Sequence, residues 1–185
     1  MDRKLEEMID SYGEKLLRYA TSILYNHQDA EDVVQDVFVS VYQKYDTSFD
    51  GDMLSAWLYK ITYNKSINKL KRRRFLIFGE PPREKEMITY PEQTGLSDEM
   101  LYALSLLKPE DRALLYGRII EDYSYEELSQ QMGVSSATLR KRYERAKNTL
   151  KGVLECGENL ISENLISESS IKKSKGSMMH FHKLI

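Results

Sequence analysis

Two short segments of this 185-residue chain concentrate its positive charge. Lys60–Phe75 contains seven basic and no acidic residues, and Thr138–Lys151 contains six basic residues and one acidic residue. Such patches attract phosphate groups, so nucleic acid is the first ligand to consider. The sequence offers no glycine-rich phosphate loop, no nucleophile paired with a base and no metal-ligand spacing. It therefore predicts a binding protein without catalytic residues, cofactor, metal or small-molecule substrate.

The second basic patch lies in a sequence typical of a helix-turn-helix. Ser124 and Glu127 form a capping box, which predicts a helix that begins at Tyr125. Gly133 permits the left-handed conformation that ends a helix, and either of the serines at 135 and 136 can cap the next one. Apolar side chains then recur at helical spacing: Leu139, Tyr143, Ala146 and Leu150.

In a DNA-binding helix-turn-helix, the second helix enters the major groove and its first turns meet base edges. The polar and basic side chains of this helix are therefore candidate DNA contacts: Ser135, Ser136, Thr138, Arg140, Lys141, Arg142, Glu144 and Arg145. The competing interpretation is an amphipathic hairpin whose basic face is only solvated, as most charged helix faces are.

The first basic patch lies in a predicted helix from Leu54 to Arg74, where tyrosines and asparagines interleave with lysines and arginines. Cations can follow the phosphates of a single strand, and aromatic rings stack its bases at about 1–3 kcal/mol per base. This composition favours a single-stranded nucleic acid as the ligand. The alternative is a helix with an aromatic core face and a basic solvent face.

A predicted helix from Ala30 to Tyr45 carries an acidic face opposite its apolar stripe. Paired carboxylates can serve acid–base catalysis or bind a metal ion. Here they have no histidine partner nearby, so the sequence favours an interaction surface or a contribution to solubility.

The composition bounds the class of protein. Hydrophobic residues make up 41% and charged residues 30% of the chain, the net charge is −2, and Cys156 is the single cysteine. One cysteine fits a reducing compartment. There is neither a signal peptide nor an apolar run near the about 20 residues that span a bilayer. We therefore expect a cytoplasmic protein.

Apolar residues recur every three or four positions, and this spacing predicts an all-α protein with two small helical domains joined by a flexible linker. The predicted boundaries are 1–74 for the first domain, 75–95 for a proline-containing linker, 96–155 for the helix-turn-helix domain and 156–185 for a disordered tail that repeats ENLIS directly. A fully extended linker of this length reaches roughly 70 Å, about two turns of duplex DNA.

Three segments resemble the bacterial RNA polymerase sigma factors, and specifically their small extracytoplasmic-function (ECF) class. These segments are DAEDVVQDVFVSVY, AWLYKITYNKSINKLKRR and LKPEDRALLYGRIIEDYSYEELSQQMGVSSATLRKRYERAKNTL. They occur in the family's order, with the linker between the second and the third, and the likeness covers about residues 5–152.

The resemblance implies a role for each surface. The acidic helix is similar to the family's contact with the polymerase clamp, with Asp32, Gln35, Asp36 and Phe38 as candidates. The first basic helix is similar to the part that opens the duplex and captures a strand of the minus-ten promoter element, with Lys60, Tyr63, Asn64, Asn68, Lys69 and Arg72 as candidates. The helix-turn-helix is similar to the reader of the minus-thirty-five element.

The implied partners are core RNA polymerase, promoter DNA and a cognate anti-sigma factor. The chain departs from the family at Asn68, where aspartate is common, and at Ala137, where glycine is common. Because of these two departures, the resemblance does not predict which promoter sequence this chain reads. Two other functions remain possible from the sequence: a stand-alone helix-turn-helix regulator that works without polymerase, and an adaptor that binds polymerase but has lost promoter reading.

Overall fold

A computed structural model describes residues 3–44, 51–76 and 98–165. In these ranges the chain forms seven α-helices and no strand: α1 Arg3–Leu24, α2 His27–Lys44, α3 Gly51–Leu76, α4 Asp98–Ser105, α5 Pro109–Ile119, α6 Tyr125–Met132 and α7 Ser136–Leu165. The predicted all-α class is confirmed for this part of the chain. Most of the predicted linker, residues 77–95, lies outside the described residues.

α7 is longer than the sequence pattern indicated. We predicted a disordered tail from residue 156, but the helix continues to Leu165, so the first ten residues of that segment are helical. Extending a formed helix fixes one residue for each hydrogen bond gained, whereas starting a new one is costly. A long, well-anchored helix therefore propagates into a segment with no strong apolar periodicity. The rest of the predicted tail lies outside the described residues.

α1, α2 and α3 pack on one another through apolar stripes. Leu16 and Ile23 of α1, Val37 of α2 and Leu58 of α3 are fully buried. The turn between α1 and α2 is tight, because Tyr25 adopts a left-handed conformation with φ 54°. These three helices form the N-terminal half, which carries the first basic patch and the acidic face.

The two halves of the protein share one hydrophobic core. Leu114 of α5, Leu128 of α6 and Leu139 of α7 are fully buried in the same cluster as the core leucines of α1 and α3. α5 packs against α1, and α6 packs against α3. A smaller cluster joins α4, α5 and α7: Ala103, Leu107, Leu115, Ala146 and Leu150. In this arrangement the helix-turn-helix is held directly against the N-terminal half.

Arg112 in α5 crosses the contact between the halves, although its side chain is almost fully buried. Its guanidinium donates hydrogen bonds to the carbonyl oxygens of Ser22 at 2.9 Å, Ile23 at 2.5 Å and Leu107 at 2.7 Å. It also lies 4.0 Å from the centre of the Tyr25 ring. The last carbonyls of a helix carry a partial negative charge, so a cation there is favourable. Arg112 thus donates hydrogen bonds from the other half of the chain to the carbonyl groups at the C-terminal end of α1.

Tyrosine rings from both halves fill the rest of this contact. The ring of Tyr19 lies 5.1 Å from that of Tyr59 and 5.3 Å from that of Tyr116. Tyr59 in turn meets Tyr123 edge to face at 5.4 Å, and the hydroxyl of Tyr123 is 3.0 Å from that of Ser55. Burial raises the pKa of Tyr19, Tyr59 and Tyr116 far above the usual value for a phenol.

Candidate nucleic-acid interface

The predicted capping box and glycine turn are both confirmed. The backbone N–H of Glu127 donates to the Ser124 hydroxyl at 3.2 Å, and the Ser124 N–H donates to the Glu127 carboxylate at 2.7 Å. Gly133 ends α6 in the left-handed conformation with φ 67°, and its N–H donates to the Ser129 carbonyl. A residue with a Cβ is strained in that conformation. These two local signals set the angle at which α7 leaves α6.

Replacing Ser124 with alanine should lower the free energy of unfolding by about 1 kcal/mol at neutral pH, since the cap is lost. Hydrogen bonds from the Ser124 hydroxyl and N–H lower the pKa of Glu127. A lowered carboxyl pKa stabilises the fold above the unfolded-state value and ceases to do so as pH falls through the folded-state value. The difference between Ser124→Ala and the unmodified protein should therefore shrink below about pH 4.

Urea unfolding from pH 3 to pH 7 would measure this difference. Ser129→Ala is the matched control, because it makes the same substitution inside α6 without touching the cap. Equal unfolding free energies for the two variants at pH 7 would contradict the capping role.

Both serines that were candidate caps hold the start of α7, but in different ways. The Ser135 hydroxyl accepts from the Thr138 N–H at 3.4 Å and lies 2.9 Å from the Thr138 hydroxyl, which makes Ser135 the cap. The Ser136 hydroxyl instead donates to the carbonyl of Tyr125 at 3.3 Å and ties α7 to the start of α6. Six of the eight candidate DNA contacts in this region are exposed: Ser135, Thr138, Arg140, Lys141, Glu144 and Arg145.

Two arginines of α7 differ in what they contact. Arg140 forms an exposed ion pair with Glu126 at 3.2 Å and lies 5.3 Å from the Tyr125 ring centre. Arg142 points toward α5, where its guanidinium lies 2.7 Å from the Asp111 carboxylate and its side chain is 19% exposed. We predicted Arg142 as a DNA contact, but in this structure it fastens α7 to α5. An arginine inside a basic run gives no sequence signal that distinguishes these two uses.

The first basic patch presents a row of polar side chains along α3. Lys60, Asn64, Asn68 and Arg72 are all exposed and follow one another at intervals of four residues, so neighbours lie one turn apart. Tyr63 does not join them, because it is buried in the shared core. Burial raises the pKa of Tyr63, and Glu110 in α5 adds to the effect. This predicted strand contact is therefore covered while the two halves share their core.

The acidic face of α2 is exposed as predicted, but its apolar member is not. Asp32, Gln35 and Asp36 lie on the surface, whereas Phe38 is buried in the core. The structure therefore does not offer the Phe38 ring to a partner. The large apolar side chains that this helix does expose are Val39 and Tyr42.

The acidic face of α2 contacts the basic face of α3 directly. The Lys69 ammonium lies 2.9 Å from the Asp32 carboxylate and 3.0 Å from the Asp29 carboxylate. Arg73 is 3.6 Å from Asp29, and Lys65 is 3.8 Å from Asp36. Although burial alone would lower the pKa of Lys69, hydrogen bonds to Asp32 and Asp29 raise it.

Asp29 takes part in this contact, although it was not among the predicted site residues. The residue lies just after the turn between α1 and α2, in the first turn of α2. It lies in a capped turn, since its N–H donates to the Asn26 side-chain oxygen at 2.9 Å. Its own carboxylate, however, spans Lys69 and Arg73 on the neighbouring helix, and that pairing depends on how α2 crosses α3.

Residues 3–44, 51–76 and 98–165 contain neither a metal-ligand cluster nor a membrane-spanning helix. No group of three or more histidine, cysteine, aspartate or glutamate side chains is placed to hold a metal ion there. No helix in that part of the chain is long and apolar enough to cross a membrane.

Comparison with known protein families gives two matches, one for each basic surface. Residues 8–75 match sigma-70 region 2, and residues 97–150 match sigma-70 region 4. The first range contains α2 and α3 with their acidic and basic faces, and the second contains the helix-turn-helix. Together the two matches cover well over half of the chain.

Relatives and solved structures agree with these matches. The chain is 28% identical over 157 residues to the ECF RNA polymerase sigma factor SigE of Mycolicibacterium smegmatis, covering 80% of this chain and 61% of that protein. It is 28% identical over 156 residues to the RNA polymerase sigma factor YlaC of Bacillus subtilis, covering 80% of this chain and 90% of YlaC. A co-crystal structure of the sigma factor RpoE with the anti-sigma factor NepR from Bartonella quintana has a TM-score of 0.71, with 26% identity over 83% of this chain and 98% of that one. The chain belongs to the sigma-70 family of RNA polymerase sigma factors, in the ECF class.

Proposed function

We propose that this protein is a transcription initiation factor that binds core RNA polymerase, directs it to promoters and helps to melt the DNA. The observation that carries the proposal is the coincidence of two matched sigma-70 regions with two separate cationic surfaces in one chain. The α2–α3 pair supplies the polymerase-binding and minus-ten surface, and the α6–α7 pair supplies the minus-thirty-five reader. The protein lends specificity to the polymerase, works with it in the cytoplasm and performs no chemistry itself.

Binding to both promoter elements requires the halves to separate. Tyr63 is a candidate base-stacking group, yet here it is buried in the core that the two halves share. A linker of about 20 residues reaches roughly 70 Å when extended. Once one half is bound, the other is held at a high effective concentration near its own element, so the two weak affinities reinforce each other.

An anti-sigma factor is the remaining partner that we propose. The Bartonella quintana sigma factor was solved with the anti-sigma factor NepR. A second similar structure is that of CnrH in complex with the cytosolic domain of CnrY, with a TM-score of 0.58. It shares 23% identity over 84% of this chain and 90% of that chain, so it supports the fold alone. A cognate inhibitor of this chain would work by denying the polymerase access to α2 or by keeping the halves together.

The alternative function, a stand-alone transcription regulator, accounts for fewer of the observed features. Such a protein needs only the helix-turn-helix, and it leaves the region 2 match and the acidic face of α2 without a use.

In vitro transcription tests the proposal. Core RNA polymerase and genomic DNA fragments would be incubated with and without the protein, and the 5′ ends of the transcripts sequenced. We expect discrete starts that appear only with the protein. Their absence from every fragment would refute the function.

The variant Asp36→Lys should reduce these starts by about tenfold or more when the protein is limiting, because it reverses a charge on the docking face. Asp10→Lys makes the same reversal at an exposed position of α1 and should keep the starts. An equal loss of transcription starts in both variants would show that α2 is not the docking face.

A further inference from the structure

The α2–α3 contact joins residues assigned to two different partners. Asp32 belongs to the proposed polymerase-docking face, and Lys69 belongs to the proposed strand-binding face. In the structure these two side chains bind each other at 2.9 Å. Asp36 and Lys65 repeat the arrangement one turn further along at 3.8 Å. A carboxylate and a DNA phosphate are both oxygen acceptors for a lysine ammonium, so they compete for the same donors.

The three carboxylates differ in how accessible they are. The Asp29 side chain is 25% exposed and spans Lys69 and Arg73, whereas the side chains of Asp32 and Asp36 are 62% and 72% exposed. Asp29 also lies in the first turn of α2, where a negative charge is favoured by the helix dipole. Asp29 is therefore the fixed partner of the α3 cations, and Asp32 and Asp36 are the carboxylates that another molecule can reach.

We propose that Asp32 and Asp36 occupy Lys69 and Lys65 in the free protein as stand-ins for DNA phosphates. A basic surface of the polymerase that docks on α2 takes over these two carboxylates. Lys65 is then freed, and Lys69 keeps Asp29 as a partner but gains an open donor position for a phosphate of the melted strand. The idea rests on the proposed function, because it needs polymerase docking and strand capture to be separate events. Coupling between two binding events is reciprocal, so a captured strand also strengthens the docking of polymerase.

The size of the effect follows from the exposure of the pairs. Exposed ion pairs are weak, so Asp32 and Asp36 reduce phosphate binding by the two lysines only in part. We expect Asp32→Asn to raise the affinity of the free protein for a fluorescein-labelled single-stranded oligothymidine by roughly twofold to fivefold at low salt. Fluorescence anisotropy would give the dissociation constants, and circular dichroism would verify that each variant is folded.

Two controls separate this mechanism from a general loss of negative charge. Glu31→Gln removes the same charge from the neighbouring position, where the carboxylate contacts His27 rather than α3, and it should leave the affinity nearly unchanged. In a Lys69→Gln background the gain from Asp32→Asn should disappear, since a double-mutant cycle isolates the pair.

Equal gains from Asp32→Asn and Glu31→Gln would overturn the proposal, and so would a gain that persists without Lys69. If no variant binds the oligonucleotide even at low salt, Lys69 does not bind phosphate and the proposal fails. All these measurements use the protein without polymerase. Their failure is therefore distinct from the failure of the transcription test, in which the unmodified protein starts no transcripts.

Discussion

Replacing Arg112 with alanine should lower the free energy of unfolding by about 3 kcal/mol, the largest loss that we expect from any single change outside the apolar core. The substitution removes a buried cation and leaves the carbonyls of Ser22, Ile23 and Leu107 without its hydrogen bonds. A buried acceptor left unsatisfied costs about 1–3 kcal/mol, and partial hydration of the opened space limits the sum. Urea unfolding would measure the change as a shift of the midpoint.

Arg18→Ala provides the matched control for this prediction. Arg18 lies on α1 with its side chain 62% exposed and forms an ion pair with Glu14 one turn away. Such a pair is worth about 0.3–0.5 kcal/mol. Small-angle scattering adds a second readout, since Arg112→Ala should enlarge the protein if its halves separate before they unfold. If both variants unfold at the same urea concentration and scatter alike, Arg112 does not hold the halves together.

Replacing Lys141 with glutamate should reduce transcription from promoters that depend on a minus-thirty-five element by about tenfold or more, because one reversed contact costs about 1–3 kcal/mol. Lys141 is exposed in the second turn of α7. We propose it as a DNA contact because the first turns of the second helix are where a DNA-binding helix-turn-helix meets the major groove. Losing one phosphate contact should also reduce the slope of log affinity against log salt by about 0.9. Transcription assays and binding titrations with the polymerase–sigma complex at several salt concentrations would test both expectations.

Lys108→Glu is the control for the α7 variant. Lys108 is exposed on the turn before α5, in the same half of the protein but outside α7. It makes the same change of charge, so it accounts for any effect of net charge alone. An equal decrease in transcription for the two variants would show that Lys141 does not contact the DNA.

The helix-turn-helix was predictable because its determinants are local. Ser124 and Glu127 are three residues apart, and Gly133 needs only its own backbone conformation to end α6. The apolar spacing of α7 likewise gave its buried face, with Leu139, Ala146 and Leu150 all in the core. Each of these signals acts within one or two turns of helix, where sequence and structure are tied closely.

The contacts that were missed join residues far apart in the chain. Arg112 reaches carbonyls about 90 residues away, and Arg142 pairs with Asp111 on another helix. Lys69 and Asp32 belong to different helices whose crossing no local pattern specifies. Phe38 and Tyr63 were assigned to surfaces by analogy of position, yet both face the core. Whether an aromatic side chain is buried depends on which neighbouring helix covers it, and that information is not local.

The shared core has a consequence for how the protein is made on the ribosome. The apolar faces of α1 and α3 are covered by α5 and α6, and 56 residues separate the end of α3 at Leu76 from the end of α6 at Met132. Synthesis at about 5–20 residues per second leaves these faces bare for roughly 3–11 seconds. During that interval the nascent N-terminal half can bury its leucines only within itself or against a chaperone. Slow codons between α3 and α6 would therefore prolong the time for which these apolar faces are exposed.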